Sequence, residues 1–252
     1  MSSKRLVTLT VACLCACLTA GSTFGLGSLL CAISGAHAAE APWAAATGLS
    51  IPALLLPPPC DDCAETRAEL AELLELQRSR SDALALHARN DYERSPSRLL
   101  DAPEIGMPVE HLRECVPCNK FFDRLEQSVE AITAEAKKKF NRTRPYNLPG
   151  NNLIPLKAIE PEDTSSYPSG HAAFATLAGI VLAQILPEKQ VEIFRRVEDF
   201  CHSRLVAGVH FRSDVYAGQV VGSTMAALLL RDPDFRRDFE AARGDVRKAL
   251  GL

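Results

Sequence analysis

Residues 171–186 read HAAFATLAGIVLAQIL. Beyond the leading His171, only Thr176 and Gln184 are polar, so the stretch has no face that could lie against water. It is too long for an ordinary strand and short of the roughly 20 apolar residues that cross a bilayer. A helix that is apolar nearly all round belongs in the middle of a bundle. Residues 213–230 have the same character, and no stretch of any length alternates apolar and polar residues as a strand would. These two segments set the fold class as all-α.

Working outward, the leucines at 70, 73, 74 and 76 predict an amphipathic helix from Thr66 to His87. Phe122, Leu125, Val129, Ile132 and Ala136 predict another from about Asn119 to Phe140. Glu188–Leu205 forms a helix between the two apolar ones, and Pro233–Leu250 a charged tail helix. Residues 39–60 are rich in Ala and Pro and end in Leu56-Pro57-Pro58-Pro59, an extended lead-in. Asn90–Arg98 is polar and breaks the helical pattern. Residues 143–169 contain Pro145, Pro149, Pro155, Pro161 and Pro168, an irregular stretch of a length that carries function or disorder.

The 252 residues are 47% hydrophobic and 23% charged, enough for the core of one domain. With 31 acidic against 28 basic residues, the whole-molecule field attracts neither nucleic acid nor an anionic membrane. Any anion must be met by a local cluster. Lys4 and Arg5 precede an uncharged run from Leu6 to Ala39 that contains Ala36-His37-Ala38, the pattern of an export signal over residues 1–38 and a periplasmic or secreted location. The same run is long enough for an uncleaved anchor, although Gly21, Gly25 and Gly27 weaken it as a span. Leu14-Cys15-Ala16-Cys17 faintly resembles a lipoprotein box. Processing leaves 39–252 as one helical domain with Cys60, Cys63, Cys115, Cys118 and Cys201, and no membrane attachment. The two Cys-x-x-Cys pairs suit a four-thiolate zinc site, but an oxidising compartment favours two disulfides, within or between the pairs. Cys201 reads as a buried thiol.

Three segments concentrate polar groups against apolar flanks. In Lys137-x6-Arg144-Pro145, a spacing of seven is near two helical turns and puts both cations on one side if the helix persists. Alone it reads as a solvated helix end. In Ser165-Ser166-Tyr167-Pro168-Ser169-Gly170-His171, Ser169 is a natural N-cap, the helix N-terminus offers N–H groups to an anion, and Gly170 permits close approach. In Ser203-Arg204-x5-His210-x3-Asp214, the carboxylate can hold one ring nitrogen of His210 and leave the other as base or nucleophile. Arg204 offers a planar fork for phosphate oxygens. Three cations, two histidines and one carboxylate, without an acidic metal-binding cluster in these segments, fit phosphoryl transfer that uses no metal and no other cofactor.

In this order the segments resemble the signature of the phosphatidic acid phosphatase type 2 superfamily, matched at every position from Lys137 to Asp214. Within it the chain is similar to secreted bacterial class A non-specific acid phosphatases, which share the export signal, the Leu-Pro-Pro-Pro lead-in and the Ser-Tyr-Pro-Ser-Gly-His run. It departs in the Cys-x-x-Cys pairs and in Ala172, where threonine is commoner. The resemblance implies the compact helical bundle of phosphatidic acid phosphatase type 2 and vanadium haloperoxidase proteins. It implies an acid phosphatase acting on soluble phosphomonoesters (nucleotide, sugar or aryl phosphates), with subunits that can assemble into a homo-oligomer. His210 would attack phosphorus to give a phosphohistidine, with Asp214 orienting it. His171 would protonate the leaving alkoxide and then deprotonate water. Lys137, Arg144, Arg204, the Ser169 hydroxyl and the Gly170 N–H would hold the equatorial oxygens. Three other readings share part of the evidence: a membrane lipid phosphatase, vanadate-dependent halide oxidation, and a non-catalytic Cys-x-x-Cys module binding zinc or a partner beside a vestigial phosphate site.

Overall fold

The computed structural model describes residues 42–156 and 165–252, and the expected export signal over 1–38, with its anchor and lipoprotein alternatives, lies outside them. Ten α-helices and no strand occur among the described residues, in keeping with an all-α class. In chain order they are α1 (Ile51–Leu54), α2 (Ala64–Ser79), α3 (Asp82–Asn90), α4 (Pro96–Leu100), α5 (Glu110–Glu114), α6 (Val116–Phe140), α7 (Gly170–Ile185), α8 (Gln190–Val206), α9 (Arg212–Leu229) and α10 (Pro233–Ala249).

The centre of the bundle is α7, as its sequence requires. Phe174, Leu177, Val181 and Leu182 are fully buried, and α6, α8 and α9 pack around them. The seam with α9 is close because Gly218 and Gly222 carry no side chain. A Cβ on Gly218 would stand 2.4 Å from the Ser169 carbonyl oxygen, and one on Gly222 2.4 Å from that of Ala173. Backbone therefore rests on backbone along two turns. The apolar stripe of α6 is buried as its spacing predicts, and Trp43 wedges between Phe121 and Phe235 at ring separations of 5.3 and 5.0 Å. No single helix among the described residues is long and apolar enough to cross a membrane.

Some expectations need correction. The helix expected over 66–87 is two helices. Ser81 caps α3 by accepting the Leu84 N–H at 3.2 Å, and the Arg80 side chain leaves the helix to donate to the Val206 carbonyl at 2.7 Å. The polar stretch 90–98 contains the start of α4, capped by Ser95. Only one of the two expected bridges is present: Cys115 is bonded to Cys118, and Cys60 and Cys63 are thiols. That bond consumes two of the four thiolates, so the zinc site does not form. Cys201 is a buried thiol, which burial pushes up to about 12.

Behind α7, buried Asp91 accepts from Arg196 and from the Ser203 hydroxyl at 2.6 Å. Ser203, the first residue of the third segment, thus ties α8 to the end of α3. Asp91, His87 and Asp199 lie close enough to hold a cation, a grouping the three segments do not contain. Arg196 already donates to both carboxylates and supplies the positive charge there.

Candidate active site

The chain is bent so that His210 and Asp214 face each other. Helix α8 ends at Val206, Gly208 takes φ 71°, and Phe211 caps α9. A left-handed glycine after a helix reverses the chain without a Cβ clash. Asp214, in the first turn of α9, reaches back to the Phe211 N–H at 2.8 Å. Its other side accepts Arg142 at 2.6 Å. His210 Nδ1 lies 3.5 Å from Asp214 Oδ2, and Arg144 Nη1 lies 3.4 Å from His210 Nε2. A guanidinium only donates and a carboxylate only accepts, so these neighbours favour the tautomer with the proton on Nδ1 and the lone pair on Nε2.

Burial lowers His210 to about 4; Asp214 opposes this, and Arg144 and Lys137 add to it. Burial pushes the Asp214 carboxyl up, but His210, Arg142 and the Phe211 N–H outweigh it and hold the group below its ordinary value. The pair is therefore a neutral imidazole on a carboxylate. Arg142 is itself buried and donates to the Ser213 hydroxyl (2.6 Å), Thr66 (3.2 Å) and Glu69 (2.9 Å).

His210 opens into a pocket of about 600 Å³ lined also by Lys137, Arg144, Ser165, Gly170 and His171, with Tyr92, Arg94 and Glu130 on the outer side. Lys137 and Arg144 do share this pocket, but not by helical spacing. Asn141, at φ 43°, ends α6, and Arg144 follows in extended backbone, buried and donating to the Val209 carbonyl at 2.9 Å. A Cβ on Gly170 would meet only Arg94, at 3.7 Å, so this glycine leaves open a surface on the pocket rather than relieving a clash. His171 Nε2 donates to the Tyr92 carbonyl at 3.1 Å, which leaves Nδ1 as its acceptor. Burial, with Arg204, Arg94 and His210 nearby, holds His171 well below the usual imidazole range.

Two expected phosphate ligands stand differently. Ser169 is buried; its hydroxyl accepts the Ala172 N–H at 3.3 Å, and its own N–H donates to the Asp214 carbonyl at 3.0 Å. Arg204 lines a narrow adjoining cavity with His171 and Tyr92, donates to the Ala88 carbonyl at 2.7 Å, and keeps its Nε buried without a partner among the described residues. The sequence reading missed Arg142, Thr66 and Glu69, which fix Asp214, and Tyr92, Arg94 and Glu130 on the rim. Arg142, two residues before Arg144, offered a signal. Thr66 and Glu69 offered none, because α2 reads as an ordinary amphipathic helix, nor did Tyr92, Arg94 and Glu130, which lie outside the three segments.

Residues 128–238 match the PAP2 superfamily, a range that contains every residue of the three segments from Lys137 to Asp214. The chain is 33% identical over 157 residues to a non-specific acid phosphatase of Salmonella typhi, covering 60% of this chain and 61% of that one. It is 38% identical over 126 residues to one of Salmonella typhimurium, covering 48% of each chain. An acid phosphatase of Zymomonas mobilis is 38% identical over 115 residues, 45% of this chain and 44% of the relative. The matches thus span between about two fifths and three fifths of these relatives.

Proposed function

We propose that the PAP2 superfamily domain carried by this chain acts as an acid phosphatase on phosphomonoesters, through a phosphohistidine on His210 and without a metal. The observation that carries this reading is the placement of His210 Nε2, 3.4 Å from Arg144 Nη1, in a pocket lined also by Lys137. Nε2 attacks phosphorus, and Asp214 holds the ring and balances the charge that appears on it. Lys137, Arg144 and the N–H groups opening α7 receive the equatorial oxygens, with Arg204 behind His171 adding positive charge. His171 gives a proton to the leaving alkoxide and then takes one from water. Among the described residues Glu130 is the one carboxylate on the pocket wall, and it is paired with Arg94, so Lys137 and Arg144 are the counter-charge for the phosphoryl group.

The test is to quench turnover of a phosphorus-labelled ester and map the label. Acid-labile, base-stable label on the peptide containing His210 is expected; label on a serine or no covalent label overturns the intermediate. The pH profile is a second expectation. His210 attacks only when neutral, so kcat/KM falls on the acid side with an apparent pKa near 4. His171 acts as acid only when protonated, and its depressed pKa places the optimum below pH 6.5. The same depression makes folding stability fall as pH drops from about 6.5 towards 4, since the unfolded chain then binds the proton more readily. A profile flat from pH 4 to 8 would contradict these roles.

The relatives' names, acid phosphatase, support a phosphomonoester substrate, and nucleotide, sugar and aryl phosphates are the classes to assay. The uncharged run that follows Lys4 and Arg5 and the Cys115–Cys118 bond support action outside the cytoplasm.

A further inference from the structure

The two Cys-x-x-Cys pairs have one spacing and two outcomes. Cys115–Cys118 is closed, with its first cysteine at the start of α6, whereas Cys60–Cys63 is open, with its second cysteine at the start of α2. The open pair is poised. The Cys63 N–H donates to the Cys60 carbonyl at 3.3 Å, closing the turn through Asp61 and Asp62, and the Cys63 thiol lies 2.9 Å from the same oxygen. Cys60 is exposed and Cys63 half-buried, so a reagent reaches both. Cys63 is lowered chiefly by the Thr66 N–H, against a smaller effect of burial, while Cys60 is raised chiefly by Cys63. Cys63 stands at the positive end of a 16-residue helix, which favours its thiolate.

This turn is also wired to the nucleophile. The Cys63 thiol donates to Thr66 Oγ1 at 3.7 Å. Thr66 Oγ1 accepts Arg142 at 3.2 Å, Arg142 donates to Asp214 Oδ1 at 2.6 Å, and Asp214 faces His210. A second tie runs from Asp61, which accepts the Thr143 hydroxyl at 2.6 Å, into the segment that carries Arg142 and Arg144.

We infer that Cys60 and Cys63 form a redox-active dithiol that exchanges with external disulfides and transmits its state to His210 through Thr66, Arg142 and Asp214. The Cys63 thiolate attacks one sulfur of an external disulfide, forming a mixed disulfide and expelling one thiolate. Cys60 gives up its proton and attacks the Cys63 sulfur, expelling the second thiolate. The two cysteines lose two electrons, the external disulfide gains them, and its two thiolates take the two protons. In the closed form Cys63 Sγ is bonded to Cys60 and drawn towards it, so its link to Thr66 Oγ1 is broken and Thr66 is free to shift. Arg142 is then held less firmly, and turnover slows. The exchange stands on the thiols alone, whereas the effect on turnover rests on the proposed phosphatase function.

The full chain is equilibrated in glutathione buffers from reducing to oxidising, free thiols are alkylated, and the segment containing Cys60 and Cys63 is weighed while aryl phosphate turnover is measured. The segment is expected to lose two hydrogens within the buffer range, with kcat at least threefold lower in the closed form. The C60S/C63S double variant, which retains Cys115–Cys118, is expected to have one kcat throughout. T66V is expected to close its bridge normally and to turn over alike in both states. Complete alkylation of Cys60 and Cys63 in every buffer overturns the dithiol. A bridge that forms with unchanged kcat, or redox dependence that survives in C60S/C63S, overturns the coupling. Absence of turnover in both states counts against the phosphatase reading, while the mass change still decides the dithiol.

Discussion

Replacing His210 with alanine is expected to lower aryl phosphate turnover by about 10⁴-fold or more, the scale seen when a nucleophile is removed, and to leave the protein folded. The lost ring is buried, but Asp214 keeps its two other partners, the Phe211 N–H and Arg142, so no buried charge is stranded. Lys137 and Arg144 remain in place to bind the phosphate group. The measurements are kcat and the urea midpoint of the same preparation. Turnover within tenfold of wild type would remove His210 from the nucleophile's role, while loss of the folded state would leave kcat unreadable and direct the test to H210Q, which preserves bulk.

The second large effect is expected on stability. Arg142→Met keeps most of the side chain's apolar volume and removes the charge that faces Asp214 and Glu69. Asp214 is fully buried, so the variant leaves an uncompensated carboxylate, a change that costs about 3–5 kcal/mol in comparable buried pairs. It also leaves the Thr66 and Ser213 hydroxyls without a donor from the guanidinium. Urea unfolding should detect the loss. The stability gap to wild type should narrow as pH falls, because an unpaired Asp214 takes up a proton more readily than the paired one. A midpoint within a few tenths of a molar of wild type would mean that Arg142 is not what neutralises Asp214.

Sequence was informative where chemistry and periodicity are local. A stretch with no polar face has one destination, and α7 begins and ends within a residue of the expected bounds. The expected pairing of His210 with Asp214 is local too, with His210 just before the cap of α9 and Asp214 in its first turn. Arg142 shows the opposite situation, for its partners Thr66, Glu69 and Asp214 are each more than 70 residues away along the chain. No spacing rule reaches that far. Lys137 and Arg144 were paired by a helical argument, yet the left-handed Asn141 stops the helix between them, and their shared pocket is made by tertiary folding. Arg204 belonged to a recognisable segment, but a segment does not say which way a side chain points. The break at Arg80 depends on the Val206 carbonyl, 126 residues away.

The glycine seam between α7 and α9 divides the pocket into two kinds of wall. His171 and Asp214 are carried by helices whose backbones touch through Gly218 and Gly222, and His210 stands just before the cap of the second, so a substitution that shifts one helix shifts all three. The opposite wall has no such constraint: Tyr92 and Arg94 lie on the connection between α3 and α4, and Glu130 on the exposed side of α6. If the proposed phosphatase reading holds, diversification of the leaving group is channelled to these three positions, where a descendant of this chain could change its diet while inheriting its chemistry intact.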